Sequence, residues 1–186
     1  MDHKGWHSRG YLPHFDSQDV VQFVTFRLAD SLPQEAVVKL RGAARPESLR
    51  DELLDQGWSA CWLRSDSIAR IVEDAFLVED AFLVFDGERY RLHAWTIMPN
   101  HVHVLFTVLP GKSLSAIVSS WKRFTARKAN SDIGRTGAFW QDDYWDRFIR
   151  NEDHFAATES YIDLNPVKAG LVEEARLWPW GSARLR

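Results

Sequence analysis

The sequence predicts an α+β fold, an antiparallel sheet flanked by helices, on three observations. Runs rich in β-branched and aromatic residues at 20–28, 89–98 and 101–108 have the composition of sheet strands. The last two are separated only by Pro99-Asn100, a turn dipeptide that joins them as an antiparallel hairpin. Stretches with helical spacing, clearest at 113–130 and 152–165, supply the layer that packs on the sheet. At 186 residues the chain is read as one domain over 1–186, with a helical, acidic insertion at about 30–86.

Residues 1–16 (MDHKGWHSRGYLPHFD) mix aromatic, basic and turn residues without a period, and read as an arm lying over the surface or a ligand. Val20–Leu28 is the first strand. Helix formers run from Pro33 to Gln56, with Pro33 suited to a first turn and Arg45-Pro46 marking a break between two helical pieces. An amphipathic, acidic helix is expected from Asp66 to about Val84. Within it VEDAFL occurs twice in succession, at 72–77 and 78–83, a local duplication expected to lengthen the helix or its exit loop without touching chemistry. Phe85-Asp86-Gly87-Glu88 is a turn, followed by the hairpin strands. Ser113 is placed to cap a helix by its side chain, and Leu114, Ile117, Val118, Trp121 and Phe124 give that helix its core face. After a loop at 131–136, FWQDDYWDRFIR (139–150) is extended, with a fourth strand over 143–150. The last helix begins near Asn151-Glu152-Asp153 and is expected to end at Asn165-Pro166.

Composition narrows the function. Lys+Arg 23 against Asp+Glu 26 gives a formal charge of −3, which argues against a protein that coats duplex DNA by charge alone. The charge is uneven: residues 1–86 carry nine basic and fifteen acidic side chains, net −6, and residues 87–186 carry fourteen and eleven, net +3. A single cysteine, Cys61, excludes an internal disulfide and a multi-thiolate zinc site and fits a reducing cytoplasm. There is no run of about eighteen apolar residues and no signal-peptide core after Met1, so a soluble protein with no membrane partner is expected. Nine Trp and eleven Phe, several beside Arg or Lys, suit stacking on unpaired bases as well as a core.

Two constellations carry chemistry. In an extended strand side chains two apart share a face, so His101 and His103 project together while Val102, Val104 and Phe106 face the other way. That geometry makes half of a metal site, or two histidines that simply share a polar strand face. In the last helix Tyr161 and Asn165 are four apart and stack on one face, with His154 and Thr158 on the same stripe. A phenol and a side-chain oxygen therefore sit together.

Read in order, MPNHVHVL, SLSAIVSSWKRFTA, FWQDDYWDRFIRNEDHF, YIDLNPVKAGLV and WPWGSA resemble the REP-associated tyrosine transposases, one-tyrosine members of the HUH nuclease superfamily. The resemblance runs from about Arg89 to Ser182, with RGYLPHF and VQFVTFRLADSLP resembling the family's N-terminal part. It implies a ferredoxin-like sheet, the HUH palm. It implies His101 and His103 as paired metal ligands, Tyr161 as nucleophile, and Asn165 as the polar third ligand. The chain departs from the pattern in its duplicated VEDAFL and acidic first half, and it stops at Arg186 soon after WPWGSA, where a longer DNA-reading tail would follow.

The implied reaction is cleavage and rejoining of single-stranded DNA at hairpin elements through a 5′-phosphotyrosine, with a divalent metal, Mg²⁺ or Mn²⁺, polarising the phosphate. Two imidazoles and an amide oxygen suit such an open site better than a closed structural zinc. A phenol titrates near 10 in water, so its proton needs an acceptor, for which His154 is one candidate. Lys122, Arg123, Arg127 and Lys128 are placed to track phosphates, and Trp140, Trp145, Arg147 and Arg150 to stack on or hold unpaired bases. The expected ligand is a short hairpin with a flanking single strand, and the expected location a prokaryotic cytoplasm, at the nucleoid. No obligate protein partner is implied, and the chain is expected as a monomer or homodimer. Two other readings are a hairpin-binding regulator without cleavage and an HUH nicking enzyme for replication or mobilisation.

Overall fold

A computed structural model gives the architecture and describes residues 5–8, 13–16, 19–41, 46–77 and 89–186. Strands β1 (Gly5–Ser8) and β2 (Pro13–Asp16) pair as a short antiparallel ribbon. Strand β3 (Val21–Arg27) leads through helices α1 (Gln34–Arg41), α2 (Pro46–Asp55) and α3 (Asp66–Leu77) to the hairpin of β4 (Tyr90–Ile97) and β5 (His101–Val108). Helix α4 (Leu114–Asp132), strand β6 (Trp145–Phe148) and helix α5 (Glu152–Lys168) follow. The main sheet has the order β4-β5-β3-β6 with every neighbouring pair antiparallel. Beyond the first ribbon, the succession strand, helices, hairpin, helix, strand, helix with this order is the ferredoxin-like arrangement expected.

The period of two along β5 decides what each face of the sheet carries. Val102, Val104 and Phe106 point to one face, where Ile68, Val72 and Phe76 of α3 and Ile117, Val118 and Trp121 of α4 close the main core. Each such side chain contributes about 1.5–3 kcal/mol on full burial. His101, His103 and Leu105 point to the other face, where Leu105, Phe23 and Ala94 pack with Ile162 of α5. Burying that second, half-polar face under α5 is what brings the last helix to the histidines.

Both sheet edges are managed. Beside β4, Ile97 N donates to Trp180 O at 2.8 Å, Thr96 bridges Gly181, and Trp95 N donates to Ser182 Oγ at 3.1 Å. The WPWGSA segment is therefore an edge cover that satisfies strand groups. A side chain at 181 would press its Cβ to 3.3 Å from the Trp178 ring, so glycine suits this approach. At the other edge the N-terminal segment forms the ribbon rather than a loose arm, with Phe15 N donating to Asp146 Oδ2 at 3.1 Å and its ring 4.9 Å from that of Phe148.

Three local expectations change. Ser113 stands at the start of α4 in extended conformation without a side-chain cap to a helix N–H; its hydroxyl meets that of Ser115 at 2.9 Å instead. Helix α5 runs past Pro166 to Lys168, because a proline this near the end removes one helical donor while Ala169 N still bonds Asn165 O and Leu171 N bonds Pro166 O. Helix α3 covers the first VEDAFL copy, and the second, with the turn at 85–88, lies outside the described residues.

Candidate active site

The hairpin turn fixes the histidines. Met98 N donates to His101 O at 2.8 Å across Pro99-Asn100, starting β5 at His101. His101 and His103 are 1% and 0% exposed, and their rings stand 4.7 Å apart. A chain of hydrogen bonds sets the tautomer of His101. Asn100 Nδ2 donates to the Leu54 carbonyl at 2.8 Å, which turns Asn100 Oδ1 toward His101 Nδ1 at 2.7 Å. His101 Nδ1 therefore carries the proton and donates, and His101 Nε2 presents a lone pair.

That lone pair faces His103 Nε2 at 3.1 Å, while His103 Nδ1 lies 2.8 Å from the Thr25 hydroxyl. A hydroxyl gives or takes a hydrogen bond, so Thr25 supports either tautomer of His103. With a proton between the rings, His103 Nε2 donates to His101; with a cation between them, both Nε2 atoms present lone pairs and His103 Nδ1 donates to Thr25. Two ligands bound at about 2.1 Å and at right angles stand about 3 Å apart, close to the separation found. Burial holds both imidazoles well below their ordinary value of 6.5, His103 adding to the effect at His101 and Arg50 at His103, so both are neutral as metal ligands must be.

Helix α5 completes the constellation. It starts at Asn151, whose Oδ1 accepts from His154 N at 2.8 Å, with Glu152 and Asp153 in its first turn. The Tyr161 ring meets His103 edge-on at 5.4 Å and Phe23 at 5.9 Å. Tyrosine and histidine pair thus meet within one chain. One turn further, Asn165 is buried at 3% exposure and its Oδ1 has no hydrogen-bond partner. An orphaned buried amide oxygen is costly unless something cationic or protic meets it, and it is the donor a third ligand would offer. Among the described residues no three His, Cys, Asp or Glu side chains cluster as a metal site, so a cation held by the two imidazoles would need a further donor of another type, such as this amide oxygen.

The Tyr161 hydroxyl donates to Asp51 Oδ2 at 2.6 Å. Burial, then the charge and hydrogen bond of Asp51, push the phenol well above its ordinary value of 10. Asp51 Oδ1 accepts from Arg50 Nε at 2.7 Å, and the Arg50 guanidinium lies 5.0 Å from the centre of the Trp145 ring. These groups open on a cavity of about 320 Å³ lined by Phe23, Arg50, Asp51, Arg147, Thr158 and Tyr161. Arg50, Asp51, Asn100 and Thr25 had no signal in the sequence reading. Asn100 looked like a turn residue, and Asp51 stands 110 residues from its tyrosine in a stretch read as an insertion.

The expected DNA-binding residues divide. Trp145 and Arg147 pair with Thr25 and Phe23 on the face of the histidines, and the exposed Arg150 lies beside Phe148. Trp140 is in the core at 5% exposure, its Nε1 donating to Thr125 Oγ1 at 2.8 Å, a position that offers no ring face to a base. Helix α4 packs on the opposite face of the sheet from the histidines. There Lys122 Nζ donates to the carbonyls of Gln141 and Asp142 at 2.7 Å, while Arg123, Arg127 and Lys128 are exposed. His154 accepts from Arg150 N at 3.3 Å and lines the same cavity, and the hydroxyl of Tyr161 is bonded to Asp51 rather than to it.

The chain is similar in sequence and in fold to known transposases. Residues 83–165 match the family model described as Transposase IS200 like, a span that holds both histidines, the tyrosine and Asn165. The chain is 30% identical over 97 residues to the REP-associated tyrosine transposase of Escherichia coli K12, covering 50% of this chain and 54% of that protein. It thus spans about half the length of that curated relative. A solved structure of a REP-associated tyrosine transposase bound to a REP hairpin superposes with a TM-score of 0.56 at 20% identity, over 95% of this chain and 84% of the other, and shows the fold to be shared.

Proposed function

We propose that this chain, whose residues 83–165 match the family model described as Transposase IS200 like and which is similar to REP-associated tyrosine transposases, cleaves and rejoins single-stranded DNA at hairpin elements. The observation that carries the reading is the meeting of Tyr161 with His103, with an unpartnered, buried Asn165 Oδ1 one turn further along α5. Tyr161 is the nucleophile. Its Oη attacks phosphorus, leaving the downstream fragment joined to the tyrosine through its 5′-phosphate and the upstream fragment with a free 3′-hydroxyl. The energy of the broken bond stays in the ester, so a 3′-hydroxyl reseals the strand without ATP.

His101 Nε2, His103 Nε2 and Asn165 Oδ1 would hold a divalent cation, Mg²⁺ or Mn²⁺, which when bound neutralises charge on the phosphate and polarises it. Asn100 and Thr25 orient the imidazoles from behind. Trp145, Arg147 and Arg150 receive unpaired bases and phosphates near the cavity, and Arg123, Arg127 and Lys128 follow the backbone farther away. The relative of known structure binds a REP hairpin, which supports the hairpin as ligand here. Among the described residues no helix is long and apolar enough to cross a membrane.

The test is incubation with end-labelled hairpin oligonucleotides carrying single-stranded flanks, with Mg²⁺ or Mn²⁺. Cutting at one flank position with a free 3′-hydroxyl is expected. Tight hairpin binding with no cutting under either metal would instead favour a regulator that binds without cleaving.

A further inference from the structure

A phenol that attacks phosphorus must lose its proton, and the hydrogen bond it already makes identifies a receiver. Tyr161 Oη, the attacking atom of the proposed reaction, donates to Asp51 Oδ2 at 2.6 Å. The carboxylate is held from its other side. Arg50 Nε meets Asp51 Oδ1 at 2.7 Å, with side-chain exposures of 4% and 17% for the pair, and the Trp145 ring lies beneath the guanidinium at 5.0 Å. One carboxylate oxygen is thereby fixed and the other aimed at the phenol.

We propose that Asp51 is the catalytic proton acceptor for Tyr161, oriented by Arg50 as a positioning residue. The inference rests on the reading of Tyr161 as nucleophile. In cleavage the Tyr161 Oη–H bond breaks and its proton goes to Asp51 Oδ2 as Oη bonds to phosphorus. The phosphorus–O3′ bond breaks with its electron pair on O3′, which takes a proton from solvent. In rejoining, the attacking 3′-hydroxyl gives its proton to solvent, the phosphorus–Oη bond breaks, and Asp51 returns the stored proton to the phenolate oxygen. The carboxylate ends as it began.

The experiment is single-turnover formation of the covalent protein–DNA adduct on a hairpin oligonucleotide with Mn²⁺, for the wild type, Asp51→Asn, Asp51→Glu, and Asp51→Asn with 3-fluorotyrosine at position 161. Asp51→Asn keeps the shape and removes the acceptor, so adduct formation should slow by about 10²–10⁴-fold while hairpin affinity holds. Fluorotyrosine gives up its proton more readily and should recover part of the loss in the Asn background, and Asp51→Glu should recover part by restoring a carboxylate. Urea unfolding of each variant verifies the fold, and if Asp51→Asn is unfolded, Asp51→Ser takes its place. An unchanged rate in the variant lacking the carboxylate, or a slowed rate that fluorotyrosine does not improve, overturns the assignment while leaving Tyr161 as nucleophile. Absence of any adduct in the wild type overturns the nuclease reading and this inference with it.

Discussion

At the scale of residues, the site combines side chains whose environments push them toward separate tasks. Replacing only the phenolic oxygen, as Tyr161→Phe, keeps the edge contacts with His103 and Phe23, so hairpin affinity should be retained in a filter-binding assay while cleavage disappears. The histidines make a prediction about pH. Unfolded they titrate near 6.5, whereas burial holds both well below that in the fold, so the unfolded chain binds more protons between those values. Stability in chelator is thus complete above about pH 6.5 and falls as the pH drops below it. Urea midpoints at about pH 7.5 and pH 5.5 should show the loss, and the double variant His101→Gln with His103→Asn should flatten it. An equal fall in that variant would assign the acid sensitivity elsewhere. The histidine spacing and the Tyr161–Asn165 stripe were legible because each lies within one element of fixed period. Asp51 was not, since one carboxylate among several in an acidic helix has no period linking it to a tyrosine on another element.

At the scale of elements, α5 depends on its first turn. Asn151 Oδ1 satisfies His154 N, and replacing Asn151 by alanine should cost about 1 kcal/mol, read as a lower urea midpoint. The variant should also lose adduct rate, because the start of this helix sets where Tyr161 lies. The four strands of the main sheet and the hairpin turn were legible in the sequence from β-branched composition and Pro99-Asn100. The end of α5 was not: the rule that a helix stops before proline gives way where Ala169 N and Leu171 N still reach carbonyls of the last turn. The amino-terminal ribbon was also missed, since β1 and β2 have four residues each, too short for alternation to show. The strip read as an insertion contributes α2, and with it Arg50 and Asp51 at the site.

At the scale of the whole molecule, one buried carboxylate adds to the strand bonds that tie the far end of the chain to the core. Glu73 of α3, 7% exposed, accepts from Trp95 Nε1 of β4 at 3.0 Å and pairs with Arg184 at 2.9 Å, joining a helix, a strand and the edge cover. Glu73→Ala leaves the indole and guanidinium without that acceptor and should cost about 2–3 kcal/mol, whereas Glu73→Gln should cost less, as compared by urea unfolding. Charge is distributed over both faces of the sheet, and only part of it surrounds the site. Arg147→Ala should weaken hairpin binding and reduce the slope of log affinity against log salt by about one, while Lys122→Ala should mainly lower stability by freeing the 141–142 carbonyls. The most direct test of the whole account is the chemical identity of the protein–DNA adduct. After nuclease trimming and trypsin, peptide 151–168, whose only tyrosine is Tyr161, should carry the mass of a nucleotide 5′-phosphate on that residue. A nucleotide found on Tyr90, Tyr144 or any other residue would contradict it.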